Sequence, residues 1–306
     1  MFDLLRASLL PMAVAISAST AAAQQAASLP NSIVATSSSL SARDSQTVAD
    51  FVANWTTQIA EGEPLEVNKA RGELISPARS PSATPIFIRA YSEAVVPALG
   101  PLVSGEDTFR AINALQVARF LKSPEAVELI VVRVDPTEES DRAKRLVASG
   151  LLAAAIRDGQ LNPVQLDGTT RRIASIAGTE ADWMVLLQLM EALDAIANLP
   201  NTPQASIDLA RRSQLTVLEA TVSRMKGPDG NPELIEAIYR SLLELRNQLV
   251  RMSSSQRSAF SRQFGPVFAS VESAAKAGLA TAPANLKPIF EKTAEQAKVL
   301  ADLTRG

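Results

Sequence analysis

Arg133, Arg172 and Arg212 are the residues whose type and spacing offer the clearest chemistry in this chain, standing 39 and 40 residues apart, with Arg171 and Arg211 doubling the last two. A guanidinium presents a rigid fork of donors, so arginines aligned along one groove would hold an acidic partner or an anionic polymer by charge-assisted hydrogen bonds. The competing use is internal pairing between neighbouring structural units, with acids such as Asp167 or Asp208. Bond-breaking chemistry is scarce. The 306 residues include no histidine and no cysteine. That double absence removes imidazole and thiolate metal sites, Ser/His/Asp and Cys/His nucleophiles, and dithiol redox chemistry.

Carboxylate catalysis survives the loss of histidine, because glycoside hydrolysis needs only Asp and Glu, one of them with a raised pKa. Glu139-Ser140 and Glu272-Ser273 offer the dipeptide that lytic transglycosylases place at their catalytic acid. Neither is followed by the Gly-Leu-Met-Gln segment of those enzymes, and Glu138, Glu139 and Asp141 read better as the acidic first turn of a helix. Residues 228–233, Pro-Asp-Gly-Asn-Pro-Glu, lack the alternating carboxylates of a calcium loop and read as a tight turn feeding a helix cap. Asp158-Gly159 and Asp167-Gly168 are read as turns as well. No glycine-rich phosphate loop occurs. These absences lead to an expectation of no metal and no cofactor.

The elements that must position the arginines announce themselves through proline. Pro85, Pro124, Pro163 and Pro203 follow one another at 39, 39 and 40 residues, behind Thr84, Ser123, Asn162 and Thr202. A capping side chain followed by proline opens a helix, since proline at the first helical position gives up an N–H that had no partner there. Further helices are expected at about 45–60, 106–121, 141–157 and 180–198, the last with Thr179 and Asp182 as a capping pair. Beyond the Gly227-Pro228 stop, Asn231-Pro232 opens a helix of about 20 residues. A Phe260, Phe264, Phe268 stripe follows, which Gly265-Pro266 should kink or break, and a last helix spans about 284–303.

A period near 40 with two helices per unit resembles HEAT and armadillo arrays, over residues 65–225. HEAT-like families often carry a basic residue in the second helix of each repeat, and Arg133, Arg172 and Arg212 stand nine residues after three of the four prolines. At the Pro85 mark that place holds Ala94. The resemblance implies an all-α, right-handed solenoid of helix hairpins over residues 45–227, with a helical block over 228–306. The competing architecture is an irregular helical bundle.

Composition narrows the partners. The chain is 46% hydrophobic and 20% charged with a net charge of -2, enough apolar content for a core and too little field to collect nucleic acid. Aromatic residues, at 4%, are too few to make stacking platforms for bases. Residues 1–23 read as an export signal: Arg6, an apolar Ala7–Ala18 stretch, and Ala21-Ala22-Ala23 as the cleavage site. A Ser-, Ala- and Gln-rich flexible tether is expected over 24–44, and no second apolar run long enough to span a membrane. The resulting expectation is a periplasmic or secreted protein that binds a protein or anionic polymer without catalysis. A carboxylate hydrolase or lyase acting on cell-wall glycan, and a chaperone-like or structural envelope protein, are the alternatives.

Overall fold

The computed structural model describes residues 28–226, 230–252 and 254–305. The expected export signal, its cleavage point after Ala23 and the Gly227-Pro228 stop lie outside the described residues. Among the described residues the chain forms thirteen α-helices and no strand, an all-α fold. A single helical turn, α1 (Asn31–Val34), precedes two interleaved series. One comprises α2 (Ala42–Glu61), α4 (Pro85–Ser104), α6 (Pro124–Val132), α8 (Pro163–Thr179), α10 (Gln204–Arg224) and α12 (Ser254–Leu279). The other comprises α3 (Pro64–Arg79), α5 (Thr108–Ala118), α7 (Arg142–Asp158), α9 (Trp183–Ala197), α11 (Leu234–Arg251) and α13 (Lys287–Arg305). Each helix packs on the next in its own series and on its sequence neighbour in the other, so two helical layers grow side by side.

The proline marks fall where that pattern needs them. Thr84, Ser123 and Asn162 accept hydrogen bonds from the backbone N–H of Phe87, Ala126 and Gln165, with Pro85, Pro124 and Pro163 as the first helical residues. The fourth mark differs by one residue: Pro203 is itself the cap of α10, extended at ψ 141°, and no side chain caps that helix. All four prolines therefore open helices of one layer, in succession. The hairpin loops before three of them also share a backbone feature. Lys122, Gln160 and Asn201 take left-handed φ of 54°, 52° and 59°. For Lys122 and Gln160 that conformation carries strain that the surrounding packing must offset.

Several expectations need correction. The segment expected as a flexible tether is docked over its described part: Ile33 and Val34 are buried, the Thr84 hydroxyl donates to the Thr36 carbonyl at 2.6 Å, and the Thr84 N–H bonds the Val34 carbonyl. Its two apolar residues sit against a ready-made helix start, which composition alone did not register. Asp167-Gly168 is no turn but the interior of α8. Thr179 ends α8 and bonds back to the Ile176 carbonyl, leaving Asp182 to cap α9 by accepting from the Met184 N–H. The apolar run Pro85–Ser104 is long and hydrophobic enough to cross a membrane, contrary to expectation. Here α4 buries Phe87, Ile88, Tyr91, Val95, Leu99 and Val103 on one face and packs against α2, α5 and α6.

Pro266 does not break α12, which continues unbroken to Leu279. Proline removes one intrahelical hydrogen bond and crowds the carbonyl a turn earlier. Side-chain packing carries the helix past it. The rings of Phe260 and Phe264 stack at 4.1 Å and those of Phe264 and Phe268 at 5.9 Å, all three buried, fixing both sides of the proline in one wall. Burying a large apolar side chain contributes about 1.5–3 kcal/mol, so the three together outweigh the lost bond.

Candidate functional site

The five arginines do not form a uniform groove. Arg133 follows α6, which is only nine residues long, so the ninth position after Pro124 is the helix's C-cap rather than its outer face. Its guanidinium turns inward to lie 3.7 Å from the buried Glu139 carboxylate. Arg172, on α8, ion-pairs with Glu128 of α6. Both arginines are thus tied to acids, though not to Asp167 or Asp208. Arg171 and Arg212 are exposed and Arg211 partly so, and none of the three forms an ion pair among the described residues.

Glu139 proves to be structural. It precedes the helix cap rather than occupying the first turn: one carboxylate oxygen accepts from the Asp141 N–H at 3.0 Å, and the other faces Arg133 and, at 3.5 Å, Lys144. Lys144 also donates to the Gly105 carbonyl at 2.7 Å. Glu180 holds the matching place before α9, accepting from the Asp182 N–H at 2.8 Å and lying 3.6 Å from Arg145. Such buried acids brace the inter-helix turns, each facing a cation of α7; the second Glu180 oxygen meets Arg145 only at ion-pair distance, without a hydrogen bond. Ser273-Ala274-Ala275-Lys276 is a Ser-x-x-Lys motif, which corrects the reading that the chain contains none. Lys276 there bonds Glu272 at 2.6 Å, and both Ser273 and Lys276 are exposed, so no base is aimed at the hydroxyl.

The concave feature with most chemistry lies elsewhere, in a cleft of about 430 Å³ bounded by α7, α9 and α11. Gly150, Ala153 and Ala154 of α7 are small and open the space, while Leu187, Met190 and Leu245 make it apolar below. Glu191, Asp194 and Glu244 bring three carboxylates to it, and Arg157 and Arg240 two guanidiniums. Asp194 accepts from Asn198 at 2.9 Å and from Gln248 of α11, which fixes its orientation. The Ser241 hydroxyl, on a residue only 6% exposed, has no hydrogen-bond partner. Both arginines are exposed, and Arg240 lies over the Trp183 ring at 5.4 Å and 3.8 Å from Glu236.

The electrostatics of the cleft are those of crowded acids. Burial pushes the Asp194 carboxyl above its ordinary value, the Glu244 charge adding to this while hydrogen bonds from Gln248 and Asn198 oppose it. Burial raises Glu191 too, with Glu244 and Asp194 repelling its charge and Arg157 and Arg240 compensating in part. Among the described residues no three acids converge closely enough to hold a metal ion. Sequence reading missed this site because its residues come from several helices. The usable signals were an i, i+3 acid pair, Glu191 and Asp194, on an otherwise apolar helix, and the small-residue run Gly150, Ala153, Ala154.

No family profile matches the sequence. No curated protein matches it either. Two engineered proteins solved by the Northeast Structural Genomics Consortium are similar over 81% of this chain and 97% and 98% of their own lengths, each at 15% identity, with TM-scores of 0.41 and 0.42.

Proposed function

We propose that the chain is an exported, non-catalytic binding protein of the bacterial envelope, built as a HEAT-like stack of helix hairpins that engages a protein partner through the α7, α9 and α11 face. The observation that carries the reading is the cleft on that face: small residues on α7 hold it open and its acids are not fully compensated from within. Repeat stacks bury a core between neighbours and leave one long face for docking. Exposed Arg171, Arg211 and Arg212 on α8 and α10 supply a second, cationic contact for an acidic segment of the same partner or an anionic polymer.

Photo-crosslinking in the native envelope tests the reading. A photoreactive residue at position 154, in the cleft, is expected to give a discrete protein adduct that Asp194→Asn diminishes. A photoreactive residue at exposed Leu65 on α3 gives none. Equal adducts from both positions, or none from position 154, overturn it. A carboxylate hydrolase acting on cell-wall glycan is the second reading, favoured by the raised pKa of Asp194, the property a general acid requires. Release of soluble glycan from purified cell wall, abolished by Asp194→Asn, would establish that reading in place of the first.

A further inference from the structure

We propose that the cleft between α7, α9 and α11 receives a lysine or arginine side chain of the protein partner, its alkyl stem over Ala153, Ala154 and Leu187 and its cationic head among Glu191, Asp194 and Glu244. This assignment rests on the binding reading above and names the chemistry of what binds. Four observations converge on it. Three carboxylates line the cleft against two guanidiniums; Glu191 and Glu244 are exposed like both arginines, one of which is stacked on Trp183, and Asp194 alone of the five is half-buried. Asp194 lies deeper than either arginine and is oriented by Asn198 and Gln248, so its charge is presented in a fixed direction.

The third observation is Ser241. Its hydroxyl lines the same cleft, is buried, and lacks a partner among the described residues. A buried hydroxyl without a partner is costly. An ammonium or guanidinium entering beside Asp194 supplies only donors, and the serine oxygen can accept from either. The fourth is the lining of α7. Lys and Arg bury their methylene stems on apolar surface while keeping the head polar. A floor of alanines, Leu187 and Met190 leading to a carboxylate wall matches that split. A phosphate or carboxylate ligand meets its own sign of charge at the bottom, and an aliphatic side chain leaves Asp194 and Ser241 desolvated without gain.

The test titrates the isotope-labelled full chain by amide NMR with Nα-acetyl-arginine amide, Nα-acetyl-lysine amide, Nα-acetyl-norleucine amide and agmatine. The first two are expected to shift amides of residues 187–194 and 240–248 saturably, with dissociation constants on the order of 1 mM for so small a ligand. The norleucine derivative binds at least about tenfold more weakly. Asp194→Asn and Glu191→Gln each weaken the arginine derivative about fivefold or more, and Ala153→Leu blocks it, while amides of α2 to α4 stay in place and report an intact fold. Equal binding of norleucine, shifts centred elsewhere, or undiminished affinity in Asp194→Asn overturns the assignment. Agmatine binding as tightly as the blocked amino acids overturns the peptide source in favour of a free amine. Loss of this binding with position-154 crosslinking intact sinks the cation assignment alone; the reverse result sinks the envelope-partner reading.

Discussion

Arg142, the first residue of α7, ion-pairs through its guanidinium with Asp182, the cap of α9, 40 residues further along the chain. A similar relation occurs earlier in the same layer, where Thr108, the first residue of α5, donates to Asp141, the cap of α7. Each of these aspartates also caps its own helix. One carboxylate therefore serves two purposes, starting a helix and tying it to the previous helix of the same layer. Polar ties recur along that layer: Arg71 donates to Asn113 and Gln116, Arg119 pairs with Asp158 at 2.9 Å, and Arg246 donates to Gln296.

This double duty separates the two partners in a mutational test. Asp182→Ala removes the cap bond and the inter-helix pair together and is expected to cost about 1–2 kcal/mol. Arg142→Ala removes only the ion pair, whose arginine is exposed, and leaves the Asp182 cap bond in place, so it is expected to cost less, about 0.5–1 kcal/mol. Urea unfolding of both variants measures the difference. Equal losses would show that the cap bond contributes nothing.

Much of one layer was legible from sequence because a cap followed by proline is a local signal, and α4, α6 and α8 begin where it stands. The other layer was harder. α3 went unread: its buried positions, Val67, Ala70, Leu74 and Ala78, include two alanines, and Pro77 sits in its last turn. The docking of residues 31–36 is a long-range contact with Thr84 that no window of sequence contains. The arginine spacing was real, yet the shortness of α6 turned Arg133 inward, so equal spacing did not become equal exposure. The cleft stayed hidden because its acids acquire their character from burial between helices, which periodicity does not encode.

Glu139 is expected to be the most sensitive charged position. It is 6% exposed and faces both Arg133 and Lys144, the latter 4% exposed. Removing one member of a buried ion cluster leaves the others charged and uncompensated, which costs about 3 kcal/mol. Glu139→Ala should therefore lower the unfolding free energy far more than Glu128→Ala, which breaks only the partly exposed pair with Arg172. Chemical denaturation of the two variants decides it, and comparable small losses would mean that solvent reaches the cluster freely.

Stability should rise, not fall, on mild acidification from neutral pH. The Asp194 and Glu191 carboxyls lie above their ordinary values in the folded chain, so the native state takes up these protons before the unfolded state does. Their ionisation is a destabilising contribution at neutral pH, relieved as pH falls toward the ordinary carboxylate range. Asp107 and Asp141 behave oppositely. The Arg110 N–H in one case and the Thr108 hydroxyl in the other hold them below the ordinary value of 3.8, and their stabilisation is lost only at still lower pH. Thermal melts across pH should show a mildly acidic maximum. Asp194→Asn keeps an oxygen to accept from Gln248 and Asn198, and is expected to raise the neutral-pH melting temperature and flatten that limb. An unchanged limb would show that Asp194 is solvated in solution.

Two glycines inside helices should respond to alanine with opposite signs. Gly168 lies within α8, is exposed, and a Cβ built on it meets no atom within 4 Å. Alanine there removes backbone freedom from the unfolded chain and is expected to stabilise by about 0.5–1 kcal/mol. Gly278 lies near the end of α12, and its Cβ would fall within the Phe290 ring of α13. That ring is 3% exposed, so it has no solvent to retreat into. Overpacking of this kind costs about 1–3 kcal/mol, and Gly278→Ala should lower the melting temperature by prising α12 from α13. A Gly278→Ala, Phe290→Leu double variant should recover part of the loss, because the smaller side chain vacates the space the new methyl needs. Additive losses in the double variant would show that the contact between Gly278 and Phe290 is not what fixes the separation of the two helices.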